Sequence, residues 1–145
     1  MKILEILTPK RCLGNFGERE AAKYLKRRGY KILERNYVSR GHEIDIIARL
    51  DDTTVFAEVK CRTVGHESDK ESRPAAAVSP RKQRSIIEAA RGYMMEKGAR
   101  GRKRLDVIEV YAECVGKKTR VKEIKHLEGA FTTDTAAKDM RHLKG

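Results

Sequence analysis

Apolar and polar positions alternate along two neighbouring runs, Glu43 to Arg49 and Thr54 to Arg62, on either side of Asp51 and Asp52. Alternation at every second residue marks a half-buried strand, and the acidic pair reads as the turn between two of them. Upstream, good helix formers run from Glu18 to Arg28 and stop at Gly29. Asn15 and Glu18 have the spacing of a capping box, so the helix is expected to begin there. Tyr30 to Val38 reads as another strand, closed by Ser39-Arg40-Gly41. Farther on, Pro80 suits the first turn of a second helix, in which Ile86, Ile87, Ala89, Ala90, Tyr93 and Met94 keep helical spacing as far as Lys97-Gly98. Leu105 to Tyr111 reads as a buried strand and Thr119 to Leu127 as a weaker last one. The order helix, three strands, helix, two strands predicts an α/β fold, a central mixed sheet flanked by helices.

Between these elements, residues 63–79 and the segment Gly98 to Arg104 carry no core pattern. The first is expected to be a weakly ordered loop and the second a basic loop. A chain of 145 residues is the size of one domain, here residues 1–131, followed by a loose tail over 132–145.

The formal net charge is +12, which bears on partners rather than on fold, and the commonest partner of such a surface is nucleic acid. A membrane is the competing reading. No apolar run approaches the roughly 18 residues needed to span one, and the cations are not gathered on a short amphipathic helix. Three scattered cysteines, Cys12, Cys61 and Cys114, with no CxxC pair, predict a reducing, cytoplasmic setting, and with the four histidines they form no zinc-ligand spacing. His66 and His126 are expected at the surface.

Against this basic background, residues 41–60 hold five acids and two cations. Charges that interrupt half-buried strands are costly unless they bind a cation or act on a substrate. A loop centred on Asp51-Asp52 sets the hairpin register, with Asp45 opposite Glu58 and Glu43 opposite Lys60. Opposed side chains share one face with Cβ atoms about 5 Å apart, so the two carboxylates would repel unless something positive lay between them. A hard divalent cation, Mg²⁺ or Mn²⁺, meets that need. Lys60, two residues beyond Glu58, would then steady an attacking water or the developing charge on phosphorus, in metal-assisted phosphodiester hydrolysis. The plainer alternatives are two solvent-facing carboxylates and a Lys60 to Glu43 ion pair.

The residues that carry this pattern also resemble a family. Gly17-Glu18, Ala21-Ala22, Tyr24-Leu25, Gly29 to Leu33, Arg35-Asn36, Glu43 to Ile47, Phe56 to Arg62 and Leu105 to Ile108 look like the bacterial YraN family over nearly the whole chain. That family is similar to archaeal Holliday-junction resolvases of the restriction-endonuclease-like, PD-(D/E)xK superfamily. The resemblance implies that Asp45 supplies the motif's Asp, Glu58 its Glu and Lys60 its Lys, with Glu18 an additional acid. Glu18 also has a sufficient structural reason as a capping-box acid, and the two readings stand level. Ile44 occupies the place of the proline that names the motif, and His42 a place where the family usually has Gly.

The expected partner is therefore DNA, held by Arg62, Arg81, Lys82, Arg84, Arg100, Arg102, Lys103 and Arg104 along a backbone-binding track. For any one of these an ordinary solvated surface is an equal reading. With no groove-reading motif in the chain, recognition of backbone and shape, including branched or junction DNA, is the expectation, and a resolvase-like role implies a symmetric dimer. The rival reading is a nucleic-acid-binding module that keeps the nuclease fold without catalysis; RNA contact is a third. Asp106, at the start of a buried strand, is expected to pair with a nearby Arg or Lys.

Overall fold

The computed structural model describes residues 9–64 and 78–132, and side chains from Asn15 onward. The elements are α1 (Pro9–Arg27), β1 (Lys31–Ser39), β2 (His42–Leu50), β3 (Thr53–Thr63), α2 (Pro80–Lys97), β4 (Arg102–Val115) and β5 (Lys118–Leu127). They form one five-stranded sheet in the order β1-β2-β3-β4-β5. β3 and β4 are parallel and every other neighbouring pair is antiparallel. This is the expected α/β arrangement, a mixed sheet flanked by helices, compatible with a restriction-endonuclease-like fold. The loop expected at 63–79 falls mainly on 65–77, and the expected tail mainly on 133–145, both outside the described residues.

Alternation along β3 sorts its side chains between two cores. Val55 and Ala57 join Ile46, Ala48, Ile108 and Val110 under Phe16, Ala21, Ala22 and Leu25 of α1. Phe56 joins Ile47 and Val107 under Ile86, Ile87, Ala89, Ala90 and Tyr93 of α2. β3 is covered on both faces and paired on both edges, and the parallel β3–β4 pair is buried as such pairs require.

Helix ends fall where expected at α2 and at the end of α1, which stops before Gly29 at φ 93°, but not at the start of α1. At α2, Ser79 Oγ accepts from Lys82 N at 3.1 Å, Pro80 opens the helix, and Gly98 closes it in the left-handed conformation at φ 57°. α1 instead starts at Pro9, so Asn15 and Glu18 lie inside it and the expected capping box does not form. A proline at a first helical position outranks the later Asn-to-Glu spacing. The basic segment 98–104 is also not all loop: β4 begins at Arg102, held by parallel pairing of Arg102 with Thr53.

Among the described residues, no helix is long and apolar enough to cross a membrane. Cys61 and Cys114 are free thiols.

Candidate metal and phosphate site

The β2–β3 hairpin turns at Asp51 and Asp52, with Asp51 at φ 55°, and its ladder runs from Leu50↔Thr53 to Ile46↔Ala57. This is the register expected from a loop centred on Asp51 and Asp52. One step farther, where Asp45 would face Glu58, regular pairing ends. Asp45 Oδ2 there accepts a hydrogen bond from the Val59 backbone N–H at 2.8 Å. β3 is held by β4 through Thr63↔Ala112, so β3 stays in the sheet beyond the point where the β2 ladder stops. The Asp45 carboxylate thus bridges the mouth of a wedge between the two strands.

Asp45 and Glu58 meet in that wedge. Burial, then the negative charge of Glu58, lift the Asp45 carboxyl far above the ordinary carboxylate range, to about 8. The Val59 amide works in the other direction, and Glu58 as a hydrogen-bond partner and the charge of Glu18 add to the rise. Glu58 is 5% exposed, and its Oε2 lies 3.4 Å from Lys60 Nζ. The expected Glu43–Lys60 pairing is not formed, because the ladder ends before it would be reached; Lys60 pairs along its own strand instead.

Glu43 belongs to a second set of contacts. The Asn36 side-chain amide donates to Glu18 Oε1 at 2.6 Å and to Glu43 Oε1 at 3.1 Å. Asn36 has φ 53°, a left-handed conformation that Asn tolerates better than most residues. Glu18 reaches this point because α1 lies close on β3: a Cβ at Gly17 would fall 2.8 Å from Cys61 Cβ. Glycine at 17 is what lets the helix settle there.

Two carboxyls share this partly dry wedge with one ammonium, and Asp45 holds its proton to about pH 8 unless another cation takes that place. The donors are hard oxygens, and the set fits a divalent cation such as Mg²⁺ or Mn²⁺, with Asp45 and Glu58 as its holders and Glu18 nearby. Among the described residues no three His, Cys, Asp or Glu side chains form a closed cage. Mg²⁺ does not require one, since it takes one or two carboxylates and completes its shell with water and phosphate oxygens.

The cations expected to hold DNA divide sharply. Arg62 Nε is 3.1 Å from Oε2 of the fully buried Glu109, which also accepts from Tyr111 Oη at 2.8 Å. Arg104 donates to both oxygens of buried Asp106 at 2.9 Å, to Tyr30 Oη at 2.6 Å, and pairs with Glu128 at 3.1 Å. Asp106 therefore pairs with an arginine as expected. It also meets His126 Nε2 at 2.7 Å, and the His126 side chain is only 5% exposed, so the expected surface position of His126 is wrong. Its other ring nitrogen contacts Tyr24 Oη at 3.0 Å. Arg81, Arg84, Arg100, Arg102 and Lys103 are exposed and Lys82 partly so. Arg102 and Lys103 stand beside Thr53 and Thr54, at the turn end of the β2–β3 hairpin, away from the wedge.

Sequence reasoning missed Asn36, Gly17 and Glu109. Glu109 had a legible signal, an acid interrupting the apolar run Val107 to Val110, the same signal that singled out Asp45 and Glu58. Asn36 had a weaker one, a residue rare in strands and at ease with positive φ.

The sequence profile of the Uncharacterised protein family UPF0102 matches residues 17–110. A UPF0102 protein of Chlorobaculum parvum is 46% identical over 121 residues, 82% of this chain and 91% of the relative. Another, from Geobacter metallireducens, is 41% identical over 122 residues, 83% of this chain and 93% of its own. A third, from Chlorobium phaeobacteroides, is 40% identical over 124 residues, covering 84% and 94%. The profile begins at Gly17 and spans every residue of the wedge.

Proposed function

The chain belongs to the UPF0102 family, and we propose that it is a metal-dependent, endonuclease-like protein of the restriction-endonuclease-like superfamily that hydrolyses DNA phosphodiester bonds. One observation carries this reading: the Asp45 and Glu58 carboxyls meet where the β2–β3 ladder ends, with Lys60 Nζ at 3.4 Å from Glu58. Buried like charges are retained where they hold a cation or do chemistry.

In this reading Asp45 and Glu58 hold Mg²⁺ or Mn²⁺, with Glu18 as an outer acid. An ion held by these residues would supply an activated water and offset the charge of the attacked phosphate. Lys60 orients that water or donates to the phosphoryl oxygen as negative charge builds on it. The Val59 amide fixes the Asp45 carboxyl through Oδ2, and an ion there would replace the proton that ties Asp45 to Glu58. A surface of net charge +12 holds the polyanion while chemistry proceeds. Branched and junction DNA lead the substrate classes, because the YraN resemblance runs toward junction resolvases. Cutting two strands across a junction calls for a symmetric pair of sites, hence a homodimer.

The test incubates four-way, nicked, single-stranded and duplex DNA with Mg²⁺ or Mn²⁺, comparing the unaltered chain with Asp45→Ala and Glu58→Ala. Cleavage by the unaltered chain and its loss in both variants is the expected result. Equal cleavage by all three would trace the activity to a contaminant and end the enzyme reading. Absent cleavage with tight, steeply salt-dependent binding would leave a nucleic-acid-binding module.

A further inference from the structure

The longest antiparallel ribbon in the sheet outruns its neighbours on the side where the wedge opens. The β3–β4 ladder ends at Thr63↔Ala112, yet β4 and β5 continue as a pair through Glu113↔Arg120, Cys114↔Thr119 and Val115↔Lys118. The register shifts between Tyr111 and Ala112, leaving Lys122 as the extra residue on β5. A bulge bends and twists a ribbon, and this one coincides with the last β3 partner, where the hairpin leaves the sheet.

Residues 113–122 hold four cations, Lys117, Lys118, Arg120 and Lys122, and one acid, Glu113, which pairs with Arg120 at 3.0 Å. All four cations are exposed. Val115 at the tip is 53% exposed, among the few large apolar side chains that face solvent in the described residues. Lysines on an edge strand also discourage aggregation, but that need explains neither the projection beyond the sheet nor the apolar tip.

Distance links the ribbon to the wedge. Glu109 stands beside Lys60, and Val115 lies six residues farther along β4, about 20 Å at ~3.3 Å per residue. Half a turn of B-form DNA advances about 17 Å, and its major groove, about 12 Å wide, admits a two-stranded ribbon. Arg100, Arg102 and Lys103 extend from the opposite end of β4, past the turn of the β2–β3 hairpin.

We propose that the β4–β5 hairpin is a DNA-binding arm that lies in the groove about half a helical turn from the phosphate at Lys60, which rests on the nuclease reading of the wedge. Lys117, Lys118 and Lys122 meet phosphates on the groove walls, Arg120 is oriented by Glu113, and Val115 faces the base edges. Duplex RNA is a poor fit, because its major groove is deep and narrow.

The experiment measures binding of a labelled DNA duplex, a four-way DNA junction and an RNA duplex by anisotropy between 50 and 250 mM KCl, with EDTA present so that nothing is cleaved. The full chain is compared with Lys117→Gln/Lys118→Gln/Lys122→Gln, which keeps the Arg120–Glu113 pair, and with Lys26→Gln/Lys31→Gln/Lys97→Gln, three exposed cations outside the arm. Thermal melts check that each variant is folded. The hairpin variant is expected to lose about 2.7 units of the log–log salt slope, at ~0.9 per phosphate contact, and at least about tenfold in DNA affinity at 100 mM salt, while the other triple variant changes less than about threefold. A folded hairpin variant with unchanged slope and affinity, or one weakened only toward RNA, overturns the arm and leaves the wedge untouched. Failure of the unaltered chain to bind any DNA overturns both the arm and the DNA reading beneath it.

Discussion

The Val59 backbone amide donates to Asp45 Oδ2 at 2.8 Å, one step past the last β2–β3 pair, Ile46↔Ala57. A side chain here takes a strand amide that continued pairing would have engaged, and the exchange holds an acid against Glu58. Its consequences are measurable without any substrate.

Folded Asp45 keeps its proton to about pH 8, whereas an unfolded aspartate loses it near pH 3.9. Between those values the unfolded chain binds fewer protons, so this group lowers stability progressively as pH rises from about 4 to about 8. Asp45→Asn removes the effect. Metal-free melts are expected to coincide near pH 4 and to favour the variant at pH 8, by roughly 2–8 °C for each kcal/mol relieved. A difference that does not change with pH would assign the raised carboxyl to another residue.

Metal uptake must displace the same proton. Mn²⁺ affinity is expected to climb about tenfold per pH unit below 8 and then level off, with close to one proton released per ion. Calorimetry in two buffers of different ionisation heat reads both quantities. Uptake with no proton release would show that the ion sits away from Asp45.

Gly17→Ala tests the seating of α1. The new Cβ would stand 2.8 Å from Cys61 Cβ, and overpacking of this kind costs about 1–3 kcal/mol. Urea unfolding should show that loss. A midpoint equal to that of the unaltered chain would mean that α1 shifts freely on β3.

Asn36 invites a pair of substitutions that separate backbone from amide. Asn36→Gly keeps access to the left-handed conformation but removes the donor to Glu18 and Glu43. It should fold with nearly unchanged stability and bind Mn²⁺ about 10-fold less tightly, as loss of an outer-shell partner does. Asn36→Ala adds a backbone penalty of about 1 kcal/mol. Equal metal affinity in all three proteins would make Asn36 a turn residue only.

Arg104 was grouped by sequence with the DNA-binding cations, yet it donates to Asp106, Tyr30 and Glu128 within the protein. Arg104→Ala is expected to cost roughly 3 kcal/mol, because buried Asp106 loses a charged partner. The salt slope of DNA binding should stay as it was. A slope reduced by about 0.9 with little loss of stability would return Arg104 to the phosphate-binding set.

How legible each feature was depended on how local its cause is. The hairpin register could be read because a two-residue loop at Asp51-Asp52 leaves one way to pair the flanking runs. α2 could be bounded because Ser79, Pro80 and Gly98 act on their own helix ends. Asn15 and Glu18 misled because a capping box can be spelled inside a helix that begins earlier. Arg102 to Arg104 read as loop because their strand character comes from Thr53 to Val55, far away in sequence, and such pairing overrides local propensity. His126 was misplaced for a similar reason: its partners, Asp106 and Tyr24, lie on β4 and α1. At the wedge, alternation placed Asp45 and Glu58 on one face, but the interruption of pairing that joins them follows from a backbone amide, and no pattern of side chains announces it.

The close spacing of Asp45 and Glu58 along the chain also bears on how the molecule assembles. Their hairpin needs only a tight turn to form, an event of about 1–10 μs for such ribbons. β4 must return to β3 across residues 64–101, and long loop closure is slow. The acidic pair is therefore brought together at the start of folding, and the docking of α1 then adds burial and the charge of Glu18 to the repulsion between them. A divalent ion present during refolding should accelerate it, acting as a nucleus for the fold as well as a reagent.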